Sequence, residues 1–294
     1  MAQRSLPKIT VVTVSLNQGA FLEEALASVI GQGYRNLEYV VIDGGSTDGS
    51  VDIIRRNASE LAYWVSEKDE GQSDAFRKAM ARATGHIVTW VNADDVLLPG
   101  ALGRVSEAWL GGARWITGHL VWIDETGGII KMSRLPRYSS YFATRGLLSA
   151  GGPATFFARD LYERSNGFDK NLDYAMDTDL WYQFASCGAR YTRVNAYLCA
   201  FRFHHGSKCS AQTFTLDSGE RVRIADRKMS ENAIIRSRYL KRSPPKGVKW
   251  FYRGWQLVNG NYGRALVDQG RWLGRSWREV FGRGGAAGDG STRG

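Results

Sequence analysis

The sequence predicts an α/β protein in which a Rossmann-like, mostly parallel central sheet is flanked by helices. Two observations predict this class. The first hundred residues alternate short apolar, β-branched runs with segments of helical periodicity. Each apolar run is continuous, as in strands that are buried on both faces. A strand–helix–strand order gives right-handed crossovers and a parallel sheet, whose ligands bind at the carboxyl ends of the strands.

The elements of the first half follow from these patterns in order. Residues 9–14 form the first β-branched run, and the next segment carries apolar side chains at helical spacing up to Gly31. Ser46 or Thr47 can cap the second helix. The patterns together predict strands at 9–14, 37–42, 62–65 and 87–91, and helices at 20–30, 51–56 and 73–83.

The second half is less regular. Its patterns predict a helix over 174–185 and extended segments at 114–123, 129–132, 154–158 and 190–203. A stretch with two prolines, residues 242–247, is typical of a linker. We therefore expect three parts, namely a main body of residues 1–220, a basic, aromatic and helical extension of residues 221–283, and a disordered tail of residues 284–294.

The composition is that of a globular protein, with 294 residues of which 43% are hydrophobic and 23% charged. The three cysteines, Cys187, Cys199 and Cys209, contain no Cys-x-x-Cys pair, which argues against a disulfide framework and a structural zinc site. A reducing compartment fits this pattern. We expect neither a signal peptide nor a bilayer-spanning helix, because no apolar run has the required position or length.

The positive charge is concentrated in the last quarter of the chain. The net charge is +10, yet residues 221–294 hold 17 Lys/Arg and 5 Asp/Glu, so the rest of the chain is nearly neutral. Contact with an anionic membrane surface and simple packing on the main body both explain this segment, whereas nucleic-acid binding is disfavoured. The segment also carries the aromatic residues Trp250, Phe251, Tyr252, Trp255, Trp272, Trp277 and Phe281.

Carboxylates follow the predicted strands of the first half. Asp43 ends the second strand, and Asn92-Ala93-Asp94-Asp95 follows the fourth. Carboxylates at one edge repel one another unless a cation joins them, and oxygen ligands suit Mg²⁺ or Mn²⁺. Each motif alone is also a common turn or helix cap. Their shared sheet edge favours a metal–diphosphate site.

Two later motifs leave alternatives open. Asp177 and Asp179 either cap the predicted helix or present a carboxylate that accepts a proton from a substrate hydroxyl. His204 or His205 either completes a metal site or lies in a surface loop. The glycine-rich loops of nicotinamide, flavin and P-loop enzymes are absent, which disfavours those classes.

Several motifs in order carry a resemblance to a known family. They include Val-Ser-Leu-Asn-Gln after the first strand, Asp-Gly-Gly-Ser-Thr-Asp-Gly after the second, and Asn-Ala-Asp-Asp after the fourth. The full set lies at residues 11–18, 38–49, 66–75, 92–95, 167–169, 176–181 and 202–204. In these motifs the chain resembles the inverting, family-two nucleotide-sugar glycosyltransferases, which share the A-type glycosyltransferase fold.

The resemblance implies a role for each candidate residue. The resemblance places Asp94 at the metal-binding position of the family's Asp-x-Asp motif and Asp177 at the position of the catalytic base, and it makes His204, or alternatively His205, a late metal or phosphate contact. Asp43 would read the base or ribose of the nucleotide. The nucleotide pocket would further be lined by Ser15, Asn17, Gln72, Asp74, Asn92 and Ala93. Two departures from the family pattern are Asn92 in place of Asp and Met176 in place of Glu.

The resemblance also implies the reaction. A glycosyltransferase of hexosyltransferase type would move a sugar from a nucleotide-diphospho-sugar to a hydroxyl of a glycan or lipid-linked glycan, with inversion and with Mn²⁺ or Mg²⁺. Lack of the Gln-x-x-Arg-Trp motif of processive synthases predicts single additions. We expect a role in surface polysaccharide synthesis, in the cytoplasm or peripherally on the inner membrane. The alternatives are a non-catalytic nucleotide-sugar or glycan-binding module and a sugar nucleotidyltransferase.

Overall fold

The structure is a computed structural model that describes residues 5–207, 213–215, 221–240, 245–259 and 261–282. The predicted tail at 284–294, residues 242–244 of the predicted linker, and Cys209 lie outside the described residues.

The first half forms the parallel part of one sheet. Its strands stand in the order β3-β2-β1-β4 and pair in parallel. The intervening helices complete the predicted alternation within a residue or two of the expected bounds. These elements are β1 (Ile9–Ser15), α1 (Gly19–Ile30), β2 (Leu37–Asp43), α2 (Ser50–Arg56), a 3₁₀ turn (Ala58–Glu60), β3 (Tyr63–Ser66), α3 (Gln72–Arg82) and β4 (Ile87–Trp90).

The second half extends the sheet with mixed pairing. Its elements are β5 (Val96–Leu97), α4 (Ala101–Leu110), β6 (Trp115–Ile123), β7 (Ile129–Ser133), α5 (Ser140–Ala143), β8 (Thr155–Ala158), α6 (Arg159–Glu163), α7 (Met176–Ser186) and β9 (Thr192–Arg202). Strand β8 lies between β4 and β6 and is antiparallel to both, so β6 runs in the same direction as β4. Strand β9 pairs in parallel with β6 and antiparallel with β5. The carboxyl end of β9 therefore reaches the same edge as the ends of β1 and β4.

Both faces of the sheet are covered, as the continuous apolar runs predict. All seven residues of β1 are buried. Because side chains alternate along a strand, Val12 and Val14 join the core under α3 and α7, whereas Ile9 and Val11 join the core under α1 and α4. This rigid double-sided core fixes the positions of the loops at the carboxyl edge.

The C-terminal region is helical, and parts of it pack firmly on the main body. A short pairing of β10 (Thr213–Thr215) with β11 (Arg221–Arg223) precedes α8 (Ile224–Tyr239), α9 (Val248–Val258), α10 (Asn261–Trp272) and α11 (Trp277–Phe281). Trp277 is buried, and the backbone N–H of Ile129 in β7 donates to the carbonyl of Arg275 at 2.9 Å. Trp250 and Phe251, in contrast, are 74% and 72% exposed. Packing thus accounts for some of the aromatic residues of the extension and leaves others facing solvent. Across the described ranges, every helix is too short or too polar to cross a bilayer.

Candidate active site

A cavity of about 550 Å³ lies at the carboxyl edge of the sheet. Its walls come from the ends of β1 and β4, the first turn of α3, the start of α7 and the end of β9. The carboxylate residues in its lining are Asp69, Asp94, Asp173 and Asp177. The cavity therefore gathers negative charge where an α/β sheet places its ligands.

The structure brings six of the ten predicted site residues to this cavity. The lining includes Ser15, Gln72, Asn92, Ala93, Asp94 and Asp177. His204 lies directly behind Asp94, whereas Asn17, Asp43 and Asp74 lie outside the lining.

Asp43 and Asn17 organise the loops behind the cavity. Asp43 is fully buried, and its carboxylate accepts hydrogen bonds from the Ser46 N–H at 2.8 Å and the Ser66 hydroxyl at 2.7 Å. The side-chain oxygen of Asn17 accepts the Thr47 N–H at 2.9 Å, and its own φ of 51° lies in the left-handed region that asparagine tolerates. In this conformation Asn17 joins the loop after β1 to the loop after β2, whereas Asp43 joins the loop after β2 to the end of β3.

Asp74 faces away from the cavity. Its carboxylate accepts the Glu70 N–H at 3.3 Å and forms an ion pair with Lys78 at 3.5 Å. The adjacent Ser73 hydroxyl donates to the Leu172 carbonyl at 2.8 Å and thereby joins α3 to the segment before α7. Of residues 72–74, only Gln72 thus lies in the cavity wall. The other two residues stabilise the start of α3 and its contact with the segment before α7.

The Asn92–Asp95 turn contains one carboxylate in the wall and one beneath it. Asp95 is fully buried and accepts the Asn92 side-chain amide at 2.7 Å and the Arg202 N–H at 3.0 Å. Burial, together with the neighbouring Asp94 carboxylate, raises the pKa of Asp95 well above its ordinary value. The neutral amide of Asn92 suits the buried Asp95, because it donates a hydrogen bond to that carboxyl group. A carboxylate at position 92 would have no N–H to donate and would repel Asp95.

Asp94 and His204 form the most distinctive contact of the site. The Asp94 Oδ2 and the His204 Nε2 are 3.1 Å apart. His204 is buried and its ring packs on Phe21 with 4.5 Å between centroids, so the imidazole is held in place. His205 is exposed, whereas the buried His204 contacts the lining residue Asp94, so of the two histidines that the sequence left open, His204 is the one beside a carboxylate of the cavity.

The donor atoms of this pair fit a divalent cation. A carboxylate oxygen and an imidazole nitrogen are both ligands of Mn²⁺, and a cation held by few protein groups completes its shell with phosphate and water. In the described part of the chain no three His, Cys, Asp or Glu side chains group closely enough to form a metal cage. A cation at Asp94 and His204 would thus depend on the ligand's own oxygens.

Arg202 supports the Asp94 side of the cavity and was not predicted as a site residue. Its guanidinium, 1% exposed, donates to the Asp94 carbonyl at 3.0 Å and pairs with Glu24 at 2.5 Å. It also donates to the carbonyls of Asp124 and Glu125 at 3.1 and 3.0 Å. One side chain therefore joins the turn after β4 to α1 and to the β6–β7 turn.

Asp177 lies in the first turn of α7 and lines the cavity. Its Oδ1 accepts the Thr178 N–H at 2.6 Å. Its Oδ2 approaches Gly152, where an added Cβ would lie only 3.2 Å away. Burial raises the pKa of the Asp177 carboxyl above its ordinary value and outweighs the hydrogen bonds from Thr178. A carboxylate that gains a proton more readily suits a general base.

Asp179 has a different environment from Asp177. It is buried and its carboxylate is bound by Arg238 at 3.1 Å and Gln183 at 2.7 Å. The cap at the start of α7 comes from Glu231 of α8, whose carboxylate accepts the N–H groups of the three residues before the helix at 2.9–3.1 Å, residues 173–175. This long-range cap was not predicted, and it leaves Asp177 facing the cavity.

An α/β sheet with carboxylates and a buried histidine around one cavity is suited to a phosphate-bearing ligand and a cation. Comparison with known proteins places the chain more narrowly. The family model described as glycosyl transferase family 2 matches residues 10–163, and the chain belongs to this family.

Curated proteins of similar sequence are also named as glycosyltransferases. An uncharacterized glycosyltransferase of Mycobacterium tuberculosis is 29% identical over 209 residues, which are 67% of this chain and 76% of that protein. An uncharacterized glycosyltransferase of Nostoc is 36% identical over 103 residues, which are 34% of this chain and 32% of that protein. A GalNAc(5)-diNAcBac-PP-undecaprenol beta-1,3-glucosyltransferase of Campylobacter jejuni is 25% identical over 130 residues, or 43% of this chain and 42% of that protein.

Solved structures share the fold. The S. aureus protein TarS (residues 1–349), in complex with UDP-GlcNAc, has a TM-score of 0.58 and 17% identity over 71% of this chain and 62% of that one. A mannosyltransferase of Pyrobaculum calidifontis in complex with GDP-Man and Mn²⁺ has a TM-score of 0.52 and 24% identity, over 67% of this chain and 57% of that one. The predicted family, the class of glycosyltransferase and the A-type fold are thereby confirmed.

Proposed function

We propose that this protein transfers a sugar from a nucleotide-diphospho-sugar to a hydroxyl of a glycan or lipid-linked glycan, with inversion, one sugar at a time. The observation that carries the proposal is that Asp177, with its raised pKa, and Asp94 line one cavity, and that His204 lies 3.1 Å from Asp94. Asp94 suits a cation on the diphosphate, and Asp177 suits the attacking hydroxyl. Membership in glycosyl transferase family 2 supports the donor class.

The donor would lie along the carboxyl ends of β1 and β4. Ser15, Gln72, Asn92 and Ala93 in the lining would contact its nucleotide and sugar. Asp43 and Asn17 would act by organising the loops after β1 and β2, and Asp74 by its contacts in the first turn of α3. TarS with UDP-GlcNAc and the Pyrobaculum enzyme with GDP-Man support a nucleotide-sugar without choosing the base.

Asp94 and His204 would hold the cation, Mn²⁺ or Mg²⁺. When bound, the cation supplies positive charge that stabilises the diphosphate leaving group. The Arg202 contact with the Asp94 carbonyl keeps the Asp94 turn in position for this role. The Mn²⁺ in the Pyrobaculum complex supports the choice of metal.

Asp177 would act as the general base in a single displacement. The acceptor oxygen bonds to the anomeric carbon as its proton passes to the Asp177 carboxylate. The bond from the anomeric carbon to the diphosphate oxygen breaks, and its electron pair stays with the nucleoside diphosphate. Attack opposite the leaving group inverts the anomeric centre.

The acceptor is proposed to be a growing surface polysaccharide, free or lipid-linked. The Campylobacter relative, whose name specifies an undecaprenol-linked glycan, supports a lipid-linked acceptor. We further propose that the protein acts in the cytoplasm, peripherally on the inner membrane. The exposed Trp250 and Phe251 beside basic residues of α9 support this location.

A panel of nucleotide-sugars tests the proposed function. Thermal unfolding is measured with each candidate donor, with and without Mn²⁺. A ligand that binds only the folded state at 100 times its dissociation constant stabilises it by about 2.7 kcal/mol, which raises the unfolding temperature measurably. We expect a shift with at least one donor, larger with Mn²⁺. No shift with any nucleotide-sugar, or a shift without transfer or hydrolysis, would contradict the proposal.

Replacing Asp94 with alanine should weaken donor binding only when the metal is present. Loss of a residue that only hydrogen-bonds to a metal ligand typically costs about 10–100-fold in metal affinity or activity, so we expect loss of the ligand Asp94 to raise the donor dissociation constant in Mn²⁺ by at least that range. Calorimetric titration with and without Mn²⁺ measures the difference. Asp52→Asn, an exposed carboxylate in α2, is the control. If Asp94→Ala keeps the full effect of Mn²⁺ on donor affinity, the metal assignment is wrong.

A further inference from the structure

A second cavity, of about 660 Å³, is lined by arginines and contains no carboxylate in its lining. It lies between the loop after β7, the start of β9 and α10. We call it the arginine cleft, formed by Arg137, Arg190, Arg193 and Arg264. Because β9 runs toward the active site, its start lies at the opposite edge of the sheet. The cleft is therefore separate from the proposed donor site.

The positive charge of the arginine cleft is not neutralised within the described residues. None of its four arginines forms an ion pair with a described Asp or Glu, although the nearby Arg134 pairs with Asp268 at 2.7 Å. The Arg193 guanidinium donates to Asn261 at 2.7 Å, yet its Nε is buried and lacks a hydrogen-bond partner in the described part of the chain. Four guanidinium groups that share a cleft repel one another unless an anion binds.

The pKa of Arg193 is consistent with this repulsion. Burial, followed by the positive charges of Arg137, Arg134 and Arg264, lowers it from its ordinary value. A planar guanidinium group can donate two parallel hydrogen bonds to two oxygens of one phosphate. Phosphate is therefore the anion that this lining fits best.

An exposed apolar surface borders the arginine cleft. Arg264 lies in α10, and Val267, one turn further on the same side of the helix, is 70% exposed. Most of the exposed apolar side chains of α9 and α10 are at least 60% exposed, namely Trp250, Phe251, Leu257, Val258, Leu266 and Val267. Basic side chains beside exposed aromatic and aliphatic ones are the arrangement by which helices lie in a membrane interface.

We propose that the arginine cleft binds the phosphate group of a lipid at the membrane surface. The inference rests on the proposed function and deepens it, because the phosphate belongs either to an anionic phospholipid or to the lipid-linked acceptor. A row of four rings, Trp90, Trp181, Trp115 and Tyr138, connects the two cavities with centroid separations of 5.6, 5.7 and 6.2 Å. These rings belong to the buried core or pack against it, so a lipid phosphate held in the cleft would hold the protein at the membrane surface that carries the acceptor, with the core between the cleft and Asp177.

The double variant Arg137→Gln/Arg264→Gln tests this site. Both side chains are exposed, and the structure gives neither a hydrogen bond to another described residue, so the fold should be unaffected. Binding is measured to phosphatidylcholine vesicles that contain either phosphatidylglycerol or a polyprenyl diphosphate. At low salt we expect the vesicle dissociation constant to rise about thirtyfold, roughly fivefold for each arginine near the surface.

The matched control is Arg35→Gln/Arg104→Gln, which removes the same charge from exposed positions outside the arginine cleft. The control should change vesicle affinity by less than about twofold. A selective loss with one vesicle type supports the proposal and identifies the source of the phosphate. Equal binding by the cleft variant and the wild type, or an equal loss in the control, would overturn it.

The same variants separate this inference from the proposed function. Nucleotide-sugar binding by thermal shift should be unchanged in Arg137→Gln/Arg264→Gln, since the arginine cleft is distant from the donor cavity. A wild-type protein that binds vesicles through the cleft but binds no nucleotide-sugar would refute the proposed donor and leave the lipid site standing.

Discussion

Replacing Asp177 with asparagine is expected to lower turnover by about 10²–10⁴-fold, the usual contribution of a general base. Asparagine keeps the shape of the side chain and can still accept the Thr178 N–H, but it cannot take the proton of the acceptor hydroxyl. The affinity for the donor should be unchanged, because the Asp94–His204 pair is intact. The measurements are the rate of sugar transfer and a calorimetric titration with the donor.

The same substitution should make the protein more stable at neutral pH. Burial raises the pKa of Asp177 in the folded state, so folded protein holds this proton more tightly than unfolded chain does. Ionisation of Asp177 therefore costs stability as the pH rises from the unfolded pKa to the higher folded pKa. Asparagine does not titrate. The variant should therefore be more stable than the wild type at a pH above the folded pKa of Asp177, and this difference in stability should vanish below the ordinary Asp pKa.

Asp177 should also set the acid limb of the pH profile. The wild-type kcat/KM should fall as the pH decreases through a pKa that is higher than the ordinary Asp value. Urea unfolding and kcat/KM measured over the same pH range would test both effects in one protein.

Asp179→Asn is the matched control for Asp177→Asn. It also neutralises a carboxylate in α7, but it removes the ion pair with Arg238 and should therefore lower stability. Folded Asp179→Asn should retain transfer. Near wild-type transfer by Asp177→Asn, or loss of donor binding in that variant, would show that Asp177 is not the base.

The parallel half of the fold is predictable from sequence because each of its signals is local. A continuous β-branched run such as residues 9–14 buries both faces of one strand, and the helix after it returns the chain to the same sheet. The position of β8 has no such signal. Its four residues, three of them apolar, pair between β4 and β6, and a short apolar run does not indicate its neighbours.

The site is predictable only where its residues lie in local sequence motifs that determine their position. Asp94 and Asp177 line the cavity as expected, whereas Asp43 and Asp74 do not. An aspartate in a loop can bind a ligand or the loop's own N–H groups, and sequence alone does not choose between them. At Asp43 the local bonds to Ser46 and Ser66 determine the conformation.

The contacts that were not predicted join residues that are far apart in the sequence. Arg202 and its partner Glu24 are 178 positions apart, and no local pattern marks either as a pair. Glu231 likewise caps α7 from a helix that composition alone assigns to a separate extension. Because Glu231 holds the start of α7, the extension contributes to the position of Asp177 even if its outer helices serve a membrane.

Replacing Arg202 with methionine should reduce the free energy of unfolding by about 3–5 kcal/mol, the usual cost of breaking a buried ion pair. The substitution keeps much of the buried volume but removes the pairing with Glu24 and three bonds to backbone carbonyls. Urea unfolding measures the loss. Arg164→Met, which removes an exposed pair with Asp160, should cost less than about 1 kcal/mol.

Arg202→Lys separates the charge of Arg202 from its geometry. Lysine can keep the ion pair with Glu24, but a single ammonium cannot also reach the three carbonyls that the guanidinium binds. We therefore expect an intermediate stability. Metal-dependent donor affinity should fall in the folded variant, because the Asp94 carbonyl loses the hydrogen bond that positions its turn. If Arg202→Lys binds donor and Mn²⁺ as the wild type does, Arg202 stabilises the fold without positioning Asp94.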